Sequence, residues 1–458
     1  MTGTTITRDQ QENLHRNILR ILEEIGVRVE NAALLDRLAA IGGRVHAAES
    51  VARFPAGVVE AFLQSVPKID WTTRRPNLMV RASFYAGEYL DARTGALGPL
   101  TEQNVREYLT VARALPNVTG TFLTGCPWCG RAEDEPLYER LYAWKYGSEH
   151  SGILYPLESR ERLLTLYEAY AQLRKKPVSE LFCGGVFMMS PLRFGAEEAA
   201  QYLWWQGRGF PIEVSHMTTA GLTAPVTTAG VVAVNVAEEI AIALLRKACY
   251  GESRLNFCTM ISSVDMRTMV RPYGCPELVS ANRVVADIAR FYGVACFGHS
   301  GVTDAKRPGC EAGAQKAMNA LGTLLGGADA MIDAGLLSSD EIYSPVQMIL
   351  DNELAGALKH LLRPVACDDD AIGFEAIREA GPGGLFTGLP HTLERYRDEL
   401  WQPQVWTRLL RDAWRTAGSK QDIDLARDRF EAIMARPPEI EKLTPDEEQI
   451  LRKVIAGK

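Results

Sequence analysis

Along the first 75 residues apolar side chains recur at helical spacing. In Asp9–Ile25 they are Leu14, Ile18, Ile21, Leu22 and Ile25, with Gly26 as a stop. Ala32–Ile41 repeats the pattern with Leu34, Leu35, Leu38 and Ile41, and Pro55 opens a third run carrying Val58, Val59, Phe62 and Leu63. Such spacing gives each segment one apolar face, so residues 1–75 read as an N-terminal helical segment. Asn77–Leu100 changes character: it is β-rich, carries the turn residues Gly87 and Gly95, and reads as a hairpin. Thr101 then caps a helix that runs through Ala114.

From there short apolar runs alternate with helical segments. The runs are Val118–Gly125, Gly152–Leu157, Leu181–Phe187, Pro211–Met217, Leu255–Ile261, Val294–Ser300 and Ala330–Leu336. A weaker eighth, Gly384–Thr387, follows the helix Val346–Leu362. Alternation of this kind implies βαβ units and a parallel sheet. Seven or eight units within about 280 residues fit a closed (β/α)8 barrel over residues 76–394 better than an open doubly wound sheet. No Gly-x-Gly-x-x-Gly opens a helix and no phosphate loop occurs, which weakens the nucleotide-binding alternative. Residues 395–458 read as a charged, helical C-terminal extension, and its apolar tail Trp401–Ile433 suits a homo-oligomer.

Composition narrows the class. With 47% hydrophobic residues the chain can fill a large core, and no stretch of 18 or more apolar residues suggests a membrane span. The polar start Met1–Gln11 carries no apolar signal segment, so a cytoplasmic protein is expected. A net charge of −7 without a basic stripe argues against nucleic acid. Nine cysteines at irregular spacing are the pattern of a reducing compartment.

In a barrel, chemistry gathers where strands end. That rule selects Cys126, Trp128 and Cys129; Tyr155; Met188, Met189 and Ser190; His216 and Met217; Thr259, Ser262 and Ser263; His299 and Asp304; Gly335 and Leu336; Phe386 and His391. Cys126 and Cys129 could be half a metal site, shared with His150 or His216, but there is no second pair. A barrel metallohydrolase would have to use His216, His299 and Asp304 with the cysteine pair, a sparse ligand set. No Gly-x-Ser-x-Gly elbow exists. What remains is aromatic and sulfur-bearing: Trp128, Tyr155, Met188, Met217 and Phe386, with Tyr343 in a following loop. Such a set suits a quaternary ammonium, which offers no hydrogen-bond donor and is held by ring faces. The same residues are equally consistent with core packing, and a non-catalytic binding protein on this scaffold is a third reading.

The most specific stretch is Gly221-Leu-Thr-Ala-Pro-Val-Thr-Thr-Ala-Gly230 followed by Asn235-Val-Ala-Glu-Glu239. Gly274-Cys-Pro-Glu277, Thr303-Asp-Ala-Lys306, Leu325-Gly-Gly-Ala-Asp329, Asp333-Ala-Gly335, Asp351-Asn-Glu353, Gly381-Pro-Gly-Gly384 and His391-Thr392 come after it in order. This series resembles the trimethylamine methyltransferase family over nearly the whole chain. The resemblance implies a (β/α)8 barrel that moves a methyl group from a methylated amine to the Co(I) of a corrinoid carried by a separate partner protein, with no cofactor bound tightly to the barrel itself. The founding branch carries pyrrolysine, which this sequence lacks, and the neighbourhood Ile332–Ser338 is where it would fall. The resemblance is therefore to the non-pyrrolysine branch, whose known members demethylate glycine betaine, proline betaine and carnitine. On that footing the aromatic set holds the cation, His216, His299 or Arg193 meets a substrate carboxylate, and Asp304 orients a residue of the mouth or touches the cation. The expected catalytic residues are Asp304, His299 and His216.

Overall fold

The computed structural model describes residues 3–85 and 87–457. Its centre is a six-stranded parallel sheet. Six strands supply it: β1 (Leu78–Phe84), β2 (Gly120–Leu123), β3 (Glu149–His150), and, later in the chain, Phe257–Thr259, Cys296–Gly298 and Asp329–Asp333. The strands between, Gly185–Met188 and Glu213–His216, are β4 and β5, so the last three are β6, β7 and β8. The spatial order is β6-β7-β8-β1-β2-β3, all parallel, and β4 pairs with β5 in parallel. Each strand is followed by a helix: α1 (Glu102–Ala114), α2 (Glu135–Tyr146), α3 (Arg160–Arg174), α4 (Ala196–Gln206), α5 (Thr228–Tyr250), α6 (Pro276–Tyr292), α7 (Cys310–Gly326) and α8 (Pro345–Leu361). The chain is therefore an α/β protein with one helix per parallel strand.

Seven of the apolar runs fall on or beside strands, but the first and last units differ from the reading of the sequence. Leu78–Phe84 is a parallel strand between β8 and β2. The expected hairpin is confined to Glu88–Leu90 and Leu97–Pro99, joined around Gly95. Arg81 and Ser83 interrupt the apolar character of β1, because they lie on the face turned away from the helices. The weak eighth run, Gly384–Thr387, forms no strand. Residues 384–387 are a turn before the helix Pro390–Glu399. The N-terminal segment is helical over Arg8–Arg20, Ala32–Ala40 and Ala56–Ser65, but it also holds three short strands. One of them, Val27–Val29, pairs with Arg193–Phe194 from the loop after β4. Gly26, which precedes it, has φ +78°, and a Cβ there would meet the carbonyl oxygen of Ala52 at 2.4 Å, so only glycine fits.

The core lies between sheet and helices. Val80, Ala82, Ala330, Ile332 and Val186 are sealed under the helices, as are Val232, Val236, Ile240 and Leu244 of α5. Side chains buried this way contribute roughly 1.5–3 kcal/mol each as an upper bound. By length and composition α5 could cross a membrane, but 72% of its apolar window is buried within this protein. Thr101 caps α1 through a reciprocal pair with Asn104, as its position implies. Of the C-terminal helices, Asp422–Ala435 packs Ala426, Phe430 and Ile433 against α1 and α8, and Pro445–Ile455 packs against α2 and α3.

Candidate functional site

Strand register divides the sheet into two faces. Val186 and Met188 of β4 stand beside Val214 and His216 of β5, and all four turn toward the helices. The opposite face carries Phe187 beside Ser215, Cys258 beside Phe297, Met79 beside Met331, and Ser83 beside Phe122. Phe187, Ser215 and Cys258 are solvent-exposed there, whereas the helix-facing Leu78, Val80 and Ala82 of β1 and Ala330 and Ile332 of β8 are buried. Along the middle of the strands this second face mixes rings and sulfur with small polar groups and one ion pair, Arg81–Glu149 at 2.9 Å. At the strands' carboxyl ends it becomes polar.

The polar cluster forms at the ends of β6, β7, β8 and β1. His299 Nε2 lies 3.1 Å from Asp333 Oδ2, and Ser83 Oγ donates to the other Asp333 oxygen at 3.2 Å. Tyr273 meets the His299 ring edge-on, with centroids 5.6 Å apart. The Arg271 guanidinium stands 5.2 Å from the Tyr273 ring. Its Nε donates to Ser262 Oγ at 2.5 Å and one Nη to the Met260 carbonyl at 2.6 Å. Burial lowers its pKa, partly offset by Tyr273 and Asp340. Among the described residues no carboxylate is within ion-pair distance of it. Asp340 faces this group. Burial pushes its pKa up to about 6, although His299, Tyr273 and Arg271 pull it back. Tyr85 is raised by burial and by Asp333 and Asp340, so it stays a neutral phenol. Its backbone N–H donates to the Tyr343 hydroxyl at 2.5 Å.

Two loops are forced into this arrangement. Ser338, Ser339 and Asp340 have φ of 52°, 52° and 83°, three consecutive non-glycine residues in the left-handed region. Such conformations cost on the order of 1–3 kcal/mol each and persist only where the surroundings impose them. Asp304 supplies much of that constraint: it accepts from the N–H groups of Tyr273 and Gly274 and from Ser339 Oγ, at 2.7–2.8 Å. At the root of the second loop Lys316 is fully buried and donates to the Asp333 carbonyl and to Asp351, both at 2.7 Å. The same Asp351 oxygen accepts from Gly335 N–H at 2.8 Å. Replacing Lys316 with methionine should therefore cost about 3–5 kcal/mol, because Asp351 is left buried without a counter-charge. Denaturant unfolding checks this, and a loss below about 1 kcal/mol would show that the pair is dispensable.

Asp340 adds a pH signature. Its folded pKa of about 6 exceeds the unfolded value near 4. Between those values the folded chain keeps a proton that the unfolded chain has released, so its contribution to stability declines as pH rises across that window. Asp340→Asn should remove the slope, as unfolding at pH 4.5 and about 6.5 would reveal.

The expected site residues fare differently. His299 and Tyr343 lie at or beside the cluster, and Asp304 ties its loops together with both carboxylate oxygens engaged, whereas Met217 is half-buried just past β5. His216 faces the helices instead. Its Nδ1 is 2.8 Å from Glu238 and its Nε2 is 3.3 Å from Glu239, in a sealed network that also takes Ser190, Thr218 and the Leu192 N–H. Met188 is buried in the helix-side core. Trp128 packs on Tyr142 of α2, and Tyr155 is half-buried in the loop beyond β3. Arg193 is an exposed partner of Glu30, at 2.9 Å. Phe386 and His391 belong to a surface excursion beyond α8, because residues 384–387 form a turn and not a strand. Cys126 is buried, Cys129 donates to the Arg131 carbonyl, and among the described residues no three His, Cys, Asp or Glu side chains converge as metal ligands. The residues missed were Tyr85, Arg271, Tyr273, Asp333 and Asp340. Asp333 begins the Asp-Ala-Gly motif, and Arg271 and Tyr273 directly precede Gly274–Glu277, so the signal was adjacency to those motifs.

Comparison with known proteins follows the same lines. The model of the trimethylamine methyltransferase family matches residues 2–83 and 171–458. The trimethylamine methyltransferase MttB of Desulfitobacterium hafniense is 24% identical over 89% of this chain and 84% of its own. The glycine betaine methyltransferase of D. hafniense strain Y51 is 25% identical over 95% and 94%. The solved Methanosarcina barkeri monomethylamine methyltransferase aligns over 94% of this chain and 88% of its own, with 11% identity and a TM-score of 0.44. The unmatched residues 84–170 include β2 and β3. With the family model covering most of the sequence, the chain belongs to the trimethylamine methyltransferase family and is a methyltransferase.

Proposed function

We propose that the chain is a (β/α)8 barrel that takes a methyl group from a carboxylated quaternary amine and passes it to a corrinoid protein. Ring closure is supported by hydrogen bonding at every neighbouring pair. Beyond the six-stranded sheet, Ile153 after β3 bridges Gly185 of β4, β4 pairs with β5, and Thr219–Ala220 after β5 pairs with Ser262–Ser263 after β6. Cys258 fits a hollow interior: it is open to solvent yet hemmed in by protein, which drives its thiol up to about 12.

The observation that carries the substrate class is the half-buried Arg271 facing Asp340 across an aromatic wall. A zwitterion matches both ends. Its carboxylate takes the free edge of the guanidinium, and its onium head lies against Asp340, Tyr273 and the ring-bearing face. Tyr85 and Tyr343 exclude water around the head. A corrinoid carried by the partner supplies, when docked, the low-valent cobalt that accepts the methyl. As the carbon–nitrogen bond breaks, its electron pair stays on nitrogen and a neutral tertiary amine leaves, so no proton donor is required. The barrel's work is positioning and desolvation.

Anaerobic mixing with a reduced corrinoid protein and a panel of methylated amines, followed by cobalt absorbance, tests the reading. Methylation of cobalt by betaines and not by trimethylamine is expected. Turnover of trimethylamine with none of the betaines would replace this reading with a tertiary-amine enzyme.

A further inference from the structure

Strand register lines up four side chains on the face turned away from the helices. Phe187 of β4 is in register with Ser215 of β5, and Cys258 of β6 with Phe297 of β7. Just beyond β5 and β6, Thr219 pairs with Ser262, and this register, carried four residues back along both strands, sets Ser215 beside Cys258. Four adjacent strands thus present a row of two small side chains between two rings. Barrel interiors are ordinarily filled by layers of bulky, mostly branched side chains. Serine and cysteine stop short of that filling and leave a notch, so Phe187, Ser215 and Cys258 are exposed on the inner face.

The notch is the floor of the polar cluster. Residues two apart on a strand share a face and lie about 7 Å apart along it. Phe297 is thus one step below His299, and Met331 one step below Asp333. Cys258 is one step below Met260, whose carbonyl accepts from Arg271. The charges of this face are matched among themselves. Glu213, one step below Ser215, pairs with Arg246 at 3.1 Å, and Arg81 pairs with Glu149 at 2.9 Å. Protein interiors are close-packed, and an apolar void costs stability in proportion to its volume. An uncharged, ring-sided recess beneath a charged mouth is therefore filled best by hydrocarbon.

We infer that this notch receives a hydrocarbon substituent of the substrate nitrogen bulkier than methyl, so that the substrate is an unsymmetrical quaternary amine. The inference rests on the proposed function and deepens it. In an in-line transfer the departing methyl points out of the mouth, and the other three bonds of a tetrahedral nitrogen slant inward. One of them leads to the carboxylate at Arg271. Another points down over Ser215 and Cys258, where a group of roughly five to seven carbons replaces the missing side-chain volume. The rings of Phe187 and Phe297 flank it and favour a flat or cyclic group.

Titration calorimetry without any methyl acceptor tests this, comparing glycine betaine with the analogue in which benzyl replaces one N-methyl. The analogue should bind about tenfold more tightly or better. Ser215→Leu combined with Cys258→Leu fills the notch and should bring the two dissociation constants to within about threefold of each other, with far-UV circular dichroism unchanged. In the unaltered chain the analogue should slow modification of Cys258 by a small methanethiosulfonate, located by peptide mass, and spare the exposed Cys367 from any change. This second readout does not depend on the variant folding. An analogue that binds no better than glycine betaine, a preference that survives in the double variant, or a Cys258 that stays unprotected would overturn the inference. Tetramethylammonium and benzyltrimethylammonium repeat the comparison without a carboxylate. A benzyl preference in that pair, with neither betaine bound, keeps the notch and removes the carboxylate reading at Arg271. Bound betaines with no benzyl preference in either pair do the reverse.

Discussion

Arg271→Ala is expected to lower kcat/KM for a betaine by roughly a hundredfold or more, the ~3 kcal/mol typical of truncating a buried charge contact. Arg271→Lys keeps the charge and loses the planar fork, so it should recover only part of the loss. Turnover of a quaternary amine without a carboxylate should change little in either variant, because Arg271 then has nothing to hold. Phe386→Ala and His391→Ala serve as controls and should leave both substrates unaffected. Equal rates for wild type and Arg271→Ala with every betaine tested would remove the residue from substrate recognition. A parallel fall with both substrate types would instead assign it to loop structure, through its bonds to Ser262 and Met260.

The second large effect is on stability. His216 is 2% exposed between Glu238 and Glu239. Burial alone would lower its pKa, but the two carboxylates outweigh it and hold the imidazolium up to about 10. Glu238 is raised by burial but brought below its usual range by His216 and its other donors. His216→Phe strands two buried carboxylates and should cost about 3–5 kcal/mol at pH 7. The sign with pH follows from the raised pKa. The ion pair's contribution is complete below pH 6.5, the unfolded value, and disappears as pH rises through about 10. The gap between wild type and variant in denaturant midpoints should therefore narrow from pH 7 to pH 10. A gap that stays constant would mean that the pair acts through packing alone.

Much of the architecture was legible because parallel strands under helices are continuous apolar runs. Seven such runs mark β2 to β8 or their edges. The run that escaped, Leu78–Phe84, presents Arg81 and Ser83 to the inner face, and the real hairpin just after it drew the whole segment into one reading. That omission displaced the numbering of the units and promoted Gly384–Thr387, a turn, to a strand. The site was legible where a motif and a strand end coincide, as at His299. It was hidden where a long loop folds back, as for Arg271 and Tyr273, because no local pattern records which loops share hydrogen bonds. His216 illustrates the converse. Its position at a strand end is correct, but a one-residue difference in alternation decides whether a side chain meets substrate or helix.

Asp304 grips the loop of Tyr273 with a pair of bonds and the loop of Asp340 with a single one, from Ser339 Oγ. One small side chain thus sets the gauge between the positive and negative poles of the cup. A guest with an additional methylene between its head and its acid group cannot be admitted by shifting either wall alone, since both are fastened to the same peg. Length discrimination among betaines should consequently reside in a residue that never touches them.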